Sequence, residues 1–193
     1  MDPIRQVLQS MISITDREMD DFLKDCFVKK YKKKALLSKP GIVPNEVFFI
    51  NNGLLRVVVN DNQGKENTLH FAVENQFIAD YSSFILKQTA LYTLQALEPT
   101  EVVVLPRSAI EWGYAHLSQG EKLGRLIAEF YFIYQDNRIK NLFARTPKAC
   151  YDSIAEVFPN IHNRVPQHMI ASYLGITSVH LSRLKSASLK NKV

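Results

Sequence analysis

The sequence predicts an α+β chain in three parts: an N-terminal jelly-roll-like β-roll, a long helix suited to dimerisation, and a C-terminal all-α helix-turn-helix unit. Three observations carry this. Short β-type runs recur between residues 27 and 105, separated by turn residues. From Gly120 to Phe143 the pattern is helical without interruption. Near the end, two short helical patterns fold around Gly175. Several short strands at near-regular spacing point to a small barrel or roll, not to a parallel βαβ sheet.

Residues 2–26 read as helical, with Ile4, Val7, Leu8 and Met11 on one stripe and a restart at Thr15. Thr15 and Glu18 have capping-box spacing, and Met19, Phe22 and Leu23 follow with helical periodicity. The β-type runs are Val47–Ile50, Leu54–Val59, Thr68–Val73, Leu91–Ala96 and Glu101–Leu105. Lys39-Pro40-Gly41, Asn51-Asn52-Gly53 and Asp61-Asn62-Gln63-Gly64 supply turn chemistry between them, and the last of these joins a predicted hairpin. The basic run Lys29–Lys34 has two readings, a nucleic-acid or localisation patch and a solvated edge that blocks aggregation. Its position just before a strand favours the edge.

After Pro106 the chain reads as helical to its end. Gly120–Phe143 would extend to about 36 Å. Its apolar residues cover more than one stripe, so one face can pack on the roll while another meets a partner. Leu123, Leu126, Phe130 and Ile133 have the spacing of a helix pair, which favours a homodimer over a helix simply buried in a core. Thr146-Pro147 breaks the helix, placing a boundary between residues 1–145, with the dimerisation helix at about 118–144, and residues 146–193.

The 193 residues contain 24 Lys+Arg against 19 Asp+Glu, a formal charge of +5. Residues 1–137 hold 15 basic and 17 acidic side chains, whereas residues 138–193 hold 9 basic and 2 acidic, so the excess belongs to the last segment. Such asymmetry suggests a polyanion-binding segment appended to a neutral module, against the blander reading of a solvated basic tail. Two cysteines, Cys26 and Cys150, cannot form a disulfide framework or a four-thiolate cluster. No apolar stretch approaches the roughly 18 residues of a spanning helix. The start MDPIRQVLQS lacks the apolar core of a signal peptide, so a soluble cytoplasmic chain with no membrane partner is expected.

Residues 165–185 carry the functional signal. Pro166 suits a first helical position, Met169, Ile170, Tyr173 and Leu174 share an apolar face, and Ala171 allows close approach of a second helix. Gly175 supplies the positive φ of a tight turn, and Thr177 can cap the next helix. Val179 or His180, Ser182 and Arg183 then project outward while Leu181 and Leu184 hold the helix to its partner. This is helix-turn-helix spacing, with an αα-hairpin of no DNA role as the alternative, and the basic segment around it favours the former.

These residues, Val165-Pro166-Gln167-His168-Met169-Ile170-Ala171-Ser172-Tyr173-Leu174-Gly175-Ile176-Thr177 followed by Leu181-Ser182-Arg183, resemble the CRP/FNR family of bacterial transcription regulators, and the resemblance extends over nearly the whole chain. It implies a cyclic-nucleotide-binding-like sensor domain at 1–145 and a DNA-binding domain at 146–193. Its expected partners are double-stranded DNA and a second copy of the chain, with RNA polymerase as a further candidate. The resemblance places Ser178, Val179 and Arg183 at base edges, with His180 beside them. Arg183 would meet guanine O6/N7. Valine stands at 179 where the family often has glutamate, so the preferred sequence should differ. Gln167, Thr177 and Lys185 become the candidates for phosphate contacts.

In nucleotide-binding members of that family, a glycine-glutamate pair and an arginine-serine pair hold the ribose and cyclic phosphate. The matching positions here are Ala79-Asp80, followed by Tyr81 and Ser82, and Ala90-Leu91. Without the arginine a buried phosphate lacks its bidentate partner, and Lys87 is a poor substitute. The expectation is no response to cAMP, no cofactor, and an unidentified effector. The five histidines show no paired ligand spacing. Cys26, Cys150 and the carboxylates Asp80, Glu74 and Glu98 form no recognisable catalytic motif, so an enzyme is not expected. The competing reading is a ligand-binding regulatory module whose helical tail contacts protein instead of DNA.

Overall fold

The computed structural model describes residues 1–190, with side chains through Ser186. Lys192 and the side chain of Lys190, both counted in the basic segment, lie outside the described residues.

The chain opens with α1 (Asp2–Met11) and α2 (Asp16–Leu23). The capping box forms: Thr15 Oγ1 accepts the Glu18 N–H at 3.2 Å and Glu18 Oε2 accepts the Thr15 N–H at 3.0 Å. The other Glu18 oxygen accepts the Ser118 N–H at 2.9 Å. These donors, Thr15 first, hold the Glu18 carboxyl down at about 2.

Eight antiparallel strands follow: β1 (Phe27–Tyr31), β2 (Leu36–Ser38), β3 (Glu46–Asn52), β4 (Leu55–Asn60), β5 (Glu66–Ala72), β6 (Phe77–Ile78), β7 (Thr93–Ala96) and β8 (Thr100–Pro106). The short helix α3 (Tyr81–Leu86) lies between β6 and β7. They form two four-stranded sheets, ordered β1-β8-β3-β6 and β2-β7-β4-β5. Phe48, Ile50, Leu55, Val57, Leu94, Val102 and Val104 fill the space between the sheets. The β4–β5 hairpin stands where the sequence places it, with Val57 opposite His70. The lysine run does not merely precede a strand. Lys29 and Lys30 lie inside β1, the exposed edge of its sheet, and Lys30 pairs with Glu101 at 3.4 Å. That is the solvated-edge arrangement.

Beyond β8 come α4 (Arg107–His116) and α5 (Gly120–Ala144). They approach so closely that a Cβ on Gly120 would overlap the Gly113 carbonyl oxygen. A core of Ile4, Leu8, Met19, Phe22, Phe49, Val103 and Leu105 joins the leading helices to the first sheet.

α5 ends at the expected break. Thr146 caps α6 (Pro147–Val157), and α7 (Ile161–Arg164), α8 (Gln167–Tyr173) and α9 (Ser178–Lys190) complete the chain. Pro166 precedes α8 as its N-cap, one position before the expected first turn. The last four helices share a core with the roll: Leu54, Phe71, Val73 and Leu97 pack against Phe158, Ile161, Ile170, Tyr173, Leu174 and Leu181. Phe71, Phe158 and Tyr173 pack ring on ring at 5.3–5.8 Å. Each such pair contributes about 0.5–1.5 kcal/mol beyond its area.

Candidate nucleic-acid interface and sensor cavity

The turn between α8 and α9 depends on Gly175, whose φ of +69° an L side chain rarely adopts. Its N–H donates to Ser172 O at 3.1 Å, and the Ile176 N–H donates to Ala171 O at 3.0 Å. Thr177 Oγ1 accepts the His180 N–H at 3.1 Å, the cap expected from the sequence. Leu181, 1% exposed, fastens α9 to the core. Thr177, Ser178, Val179, His180, Ser182 and Arg183 are all exposed, so the structure gathers five of the seven candidate DNA contacts at the start of α9. Gln167 and Lys185 are half-buried at its flanks. Burial, aided by the Lys185 charge, lowers the His162 pKa.

The basic excess is less available than its sum suggests. Arg138 stacks 3.9 Å from the Tyr173 ring and donates to Tyr173 O at 2.9 Å. Lys140 pairs with Asp136, Lys148 with Asp152, and Arg145 donates to Ser153 and to Ala149 O. Arg164 reaches across to the roll, gripping Glu74 through two N–H donors at 2.7 and 3.1 Å and Glu98 at 2.5 Å. Burial opposes ionisation of Glu74, but Arg164 and the N–H donors of Glu74 and Gly53 outweigh it and hold its carboxyl low. The hydrogen bonds to Glu98 and then to Glu74 raise the Arg164 pKa. The Arg183 side chain, by contrast, is exposed and makes no hydrogen bond or ion pair among the described residues, so it is available to a ligand. The Thr68 N–H donates to Ser172 Oγ at 2.8 Å, adding a second tie between α8 and β5.

The carboxylates weighed for catalysis are thus committed: Glu74 and Glu98 to Arg164, and Asp80 to backbone. Burial and the neighbouring Asp25 push the Cys26 thiol up to about 11, away from nucleophilic reactivity. Among the described residues no cluster of three His, Cys, Asp or Glu side chains could hold a metal. No described helix is long and apolar enough to cross a membrane.

The cassette after β6 has a distinctive geometry. Asp80, 1% exposed, caps α3 by accepting the Ser83 N–H at 3.3 Å. The same oxygen accepts from Ser82 Oγ at 3.4 Å, while the other oxygen accepts the N–H of Leu91 at 2.9 Å and of Tyr92 at 3.2 Å. Ala90 is buried and Leu91 is 65% exposed. Lys87 stands at the surface with Glu111, 3.9 Å away.

Between the roll and α5 lies a cavity of about 670 Å³, bordered by Val57 and Leu69 from the sheets, Tyr92 just before β7, Ala79, Tyr81 and Ser82 from the cassette, and Tyr131 and Gln135 from α5. His70 also lines it, and its Nδ1 meets the Tyr134 hydroxyl at 2.7 Å, which in turn meets the Tyr173 hydroxyl at 3.0 Å. This chain links roll, long helix and α8. No local spacing in the sequence connects residues 70, 134 and 173, so only the fold brings His70 to these partners.

Residues 28–116 match the family model described as the cyclic nucleotide-binding domain. Over 70 residues the chain is 30% identical to the cAMP-activated global transcriptional regulator CRP of Salmonella typhimurium, which covers 36% of this chain and 33% of that protein. The regulator of the same name from Pasteurella multocida is 26% identical over 87 residues, 45% of this chain and 42% of that one. The chain therefore aligns with only about a third of the length of the first of these relatives. Two solved structures are similar over most of the chain. One is the c-di-GMP responsive global regulator CLP of Xanthomonas campestris, with TM-score 0.70 and 12% identity over 92% of this chain and 93% of that one. The other is FixK2 from Bradyrhizobium japonicum, with TM-score 0.71 and 14% identity over 87% and 86%. At such identities the likeness is one of fold.

Proposed function

The chain has the CRP/FNR-type regulator fold, with a cyclic nucleotide-binding domain over residues 28–116, and from this premise we propose that it is a homodimeric, sequence-specific DNA-binding transcription regulator that does not respond to cAMP. The observation that carries the reading is the exposed start of α9, where a capped helix presents Arg183, unpaired among the described residues, beside Ser178, Val179 and His180. A short helix fastened by one buried leucine and bare on its other side suits a major groove. Ser178, Val179, His180 and Arg183 read bases, while Gln167, Thr177 and Lys185 fix register on phosphates.

Dimerisation is supported by α5, where Phe130, Phe132, Ile133, Ile139 and Phe143 are 54–88% exposed. An apolar helix face of that extent calls for a partner. Residues 1–145 form the sensor and dimer unit and residues 146–193 the DNA reader. The protein works in the cytoplasm, with RNA polymerase as a further contact. Failure to bind cAMP is supported by Asp80, whose carboxylate already uses the amides of Leu91 and Tyr92, and by Ala90, which offers no guanidinium. Any signal in the roll must bind its two conformations unequally to act on α9. The alternative, a regulatory module whose tail contacts protein, draws support from the grip of Arg164 on the roll.

The test is affinity of the full chain for duplex DNA as salt is varied, with cAMP titrated by calorimetry. Log affinity should fall steeply with log salt, and cAMP should give no saturable micromolar heat. Salt-independent affinity would favour the tail reading, and micromolar cAMP binding would overturn the effector assignment.

A further inference from the structure

Lys29 and Lys30 belong to the edge of β1, but the basic run continues past that strand. Lys32, Lys33 and Lys34 occupy the turn between β1 and β2, and all three are exposed. The turn is held on both sides. The Ala35 N–H donates to Lys32 O at 3.0 Å, the Lys34 N–H to Ala96 O at 2.7 Å, and the Ala96 N–H to Ala35 O at 2.9 Å. Lys34 has a φ of +72°, a left-handed conformation that glycine takes freely and lysine rarely. A lysine kept where glycine would fit without strain points to a use for its charge. Edge protection is not that use, because a turn outside the ladder has no row of strand groups to shield.

These charges are also uncompensated. Lys30 has Glu101 at 3.4 Å, and Lys29 lies 5.1 Å from the Tyr31 ring. Lys32, Lys33 and Lys34 have no ion pair or side-chain hydrogen bond among the described residues. The carboxylates at this end of the roll are engaged elsewhere, Glu98 with Arg164 and Glu101 with Lys30 and the Asn51 amide.

Strand pairing brings the turn to the C-terminal helices. Tyr31, the last residue of β1, pairs with Thr100, and Lys34 bonds to Ala96. Residues 97–99, which join β7 to β8, therefore lie beside the turn. Leu97 packs in the core that the roll shares with the last helices, and Glu98 grips Arg164 at the end of α7. On α7 too, His162 feels the charge of Lys185 from α9. The lysine turn, α7 and the basic side of α9 thus adjoin one another in that order.

We infer that the Lys32–Lys34 turn is a second DNA contact, a sequence-independent grip on the phosphates of the duplex that α9 reads. Lysine suits the task, being a compact charge on a flexible stem that can follow a row of phosphates without selecting bases. An acidic protein surface would satisfy the same charges, but the adjacency to α7 and α9 favours the polyanion bound there. The inference rests on the reading of α9 as a DNA reader. Each lysine that meets a phosphate releases a counterion, so the turn steepens the salt dependence of binding.

The experiment follows the anisotropy of a labelled duplex of about 50 bp and mixed sequence with the full chain, at about 100–300 mM salt. Lys32→Gln/Lys33→Gln/Lys34→Gln should bind about tenfold more weakly at the low-salt end, with a log–log salt slope shallower by about 1–3 per protomer. Lys24→Gln/Lys39→Gln/Lys122→Gln removes the same charge away from the turn and should stay within about threefold of the wild type. Acetylation of the wild-type chain by acetic anhydride, read by mass spectrometry, needs no variant. DNA should slow acetylation of Lys32, Lys33 and Lys34 about threefold or more and leave Lys39 and Lys122 unchanged. Equal losses from the two triple variants, or turn lysines that react as fast with DNA as without it, overturn the proposal and leave an acidic protein as the partner. Lys185→Ala is scored on the same duplex. Binding that depends on Lys185 but not on the turn sinks the grip alone, and binding that depends on the turn but not on Lys185 counts against the α9 reading. A folded chain that binds no duplex sinks both.

Discussion

The buried Asp80 carboxylate accepts the Leu91 N–H at 2.9 Å, closing the loop after α3 onto the start of that helix. Eleven residues separate the two, and the bond places the chain's own anion beside the amides of Leu91 and Tyr92. Asp80→Ala would strand the amides of Ser83, Leu91 and Tyr92. A loss of about 2–4 kcal/mol in urea unfolding is expected from that many orphaned donors. A loss under about 0.5 kcal/mol would mean the loop is held by something else.

Arg164 joins the C-terminal helices to the roll through Glu74 and Glu98. All three side chains are 21–33% exposed, so solvent screens the charges only in part. A double-mutant cycle of Arg164→Ala with Glu74→Ala should return a coupling of about 1–3 kcal/mol. Arg164→Ala should also speed amide exchange in α7 and α8 while leaving β3 and β8 protected. Additive effects would remove the ion pair as a fastening.

His70 predicts a pH dependence. Its pKa is about 3 in the fold and 6.5 for an ordinary histidine. Between those values the unfolded chain binds one more proton, so stability from this group is complete above about pH 6.5 and falls as pH drops toward 3. At pH 5 the protein should be about 2 kcal/mol less stable than at pH 7 through this group alone. His162, also lowered, adds in the same direction. His70→Gln should flatten most of this slope in denaturant titrations. An unchanged slope would contradict it.

Arg183 and Lys185 should separate in DNA-binding assays. Arg183→Ala is expected to cost about 1–3 kcal/mol on the preferred sequence and little on random DNA. Lys185→Ala should weaken all sequences alike. Equal effects on both kinds of DNA from both variants would contradict the assigned roles.

Features governed by neighbouring residues were legible in the sequence. The Thr15–Glu18 box, the Pro147 break, the Gly175 turn and the Thr177 cap each depend on chemistry within a few positions, and each stands in the structure. Features governed by distant partners were not. β1 pairs Lys30 with Glu101, and nothing in a lysine run announces a strand whose partner lies seventy residues on. β6 is two residues long, and α3 six, too short for periodicity to register. Summed charge counted Arg164 among the free cations, but its carboxylates lie 66 and 90 residues away. His70 is the sharpest case. Its significance comes from Tyr134 and Tyr173, which only the folded chain brings to it.

The central claim is that α9 reads DNA from a symmetric dimer, and selection of a preferred duplex from a random pool by the full chain tests it most directly. A dimeric reader should enrich an inverted repeat whose half-site centres are about 34–36 Å apart, and Arg183→Ala should lose that enrichment. Enrichment of no sequence by the folded wild-type chain, or of a single half-site without symmetry, would contradict it.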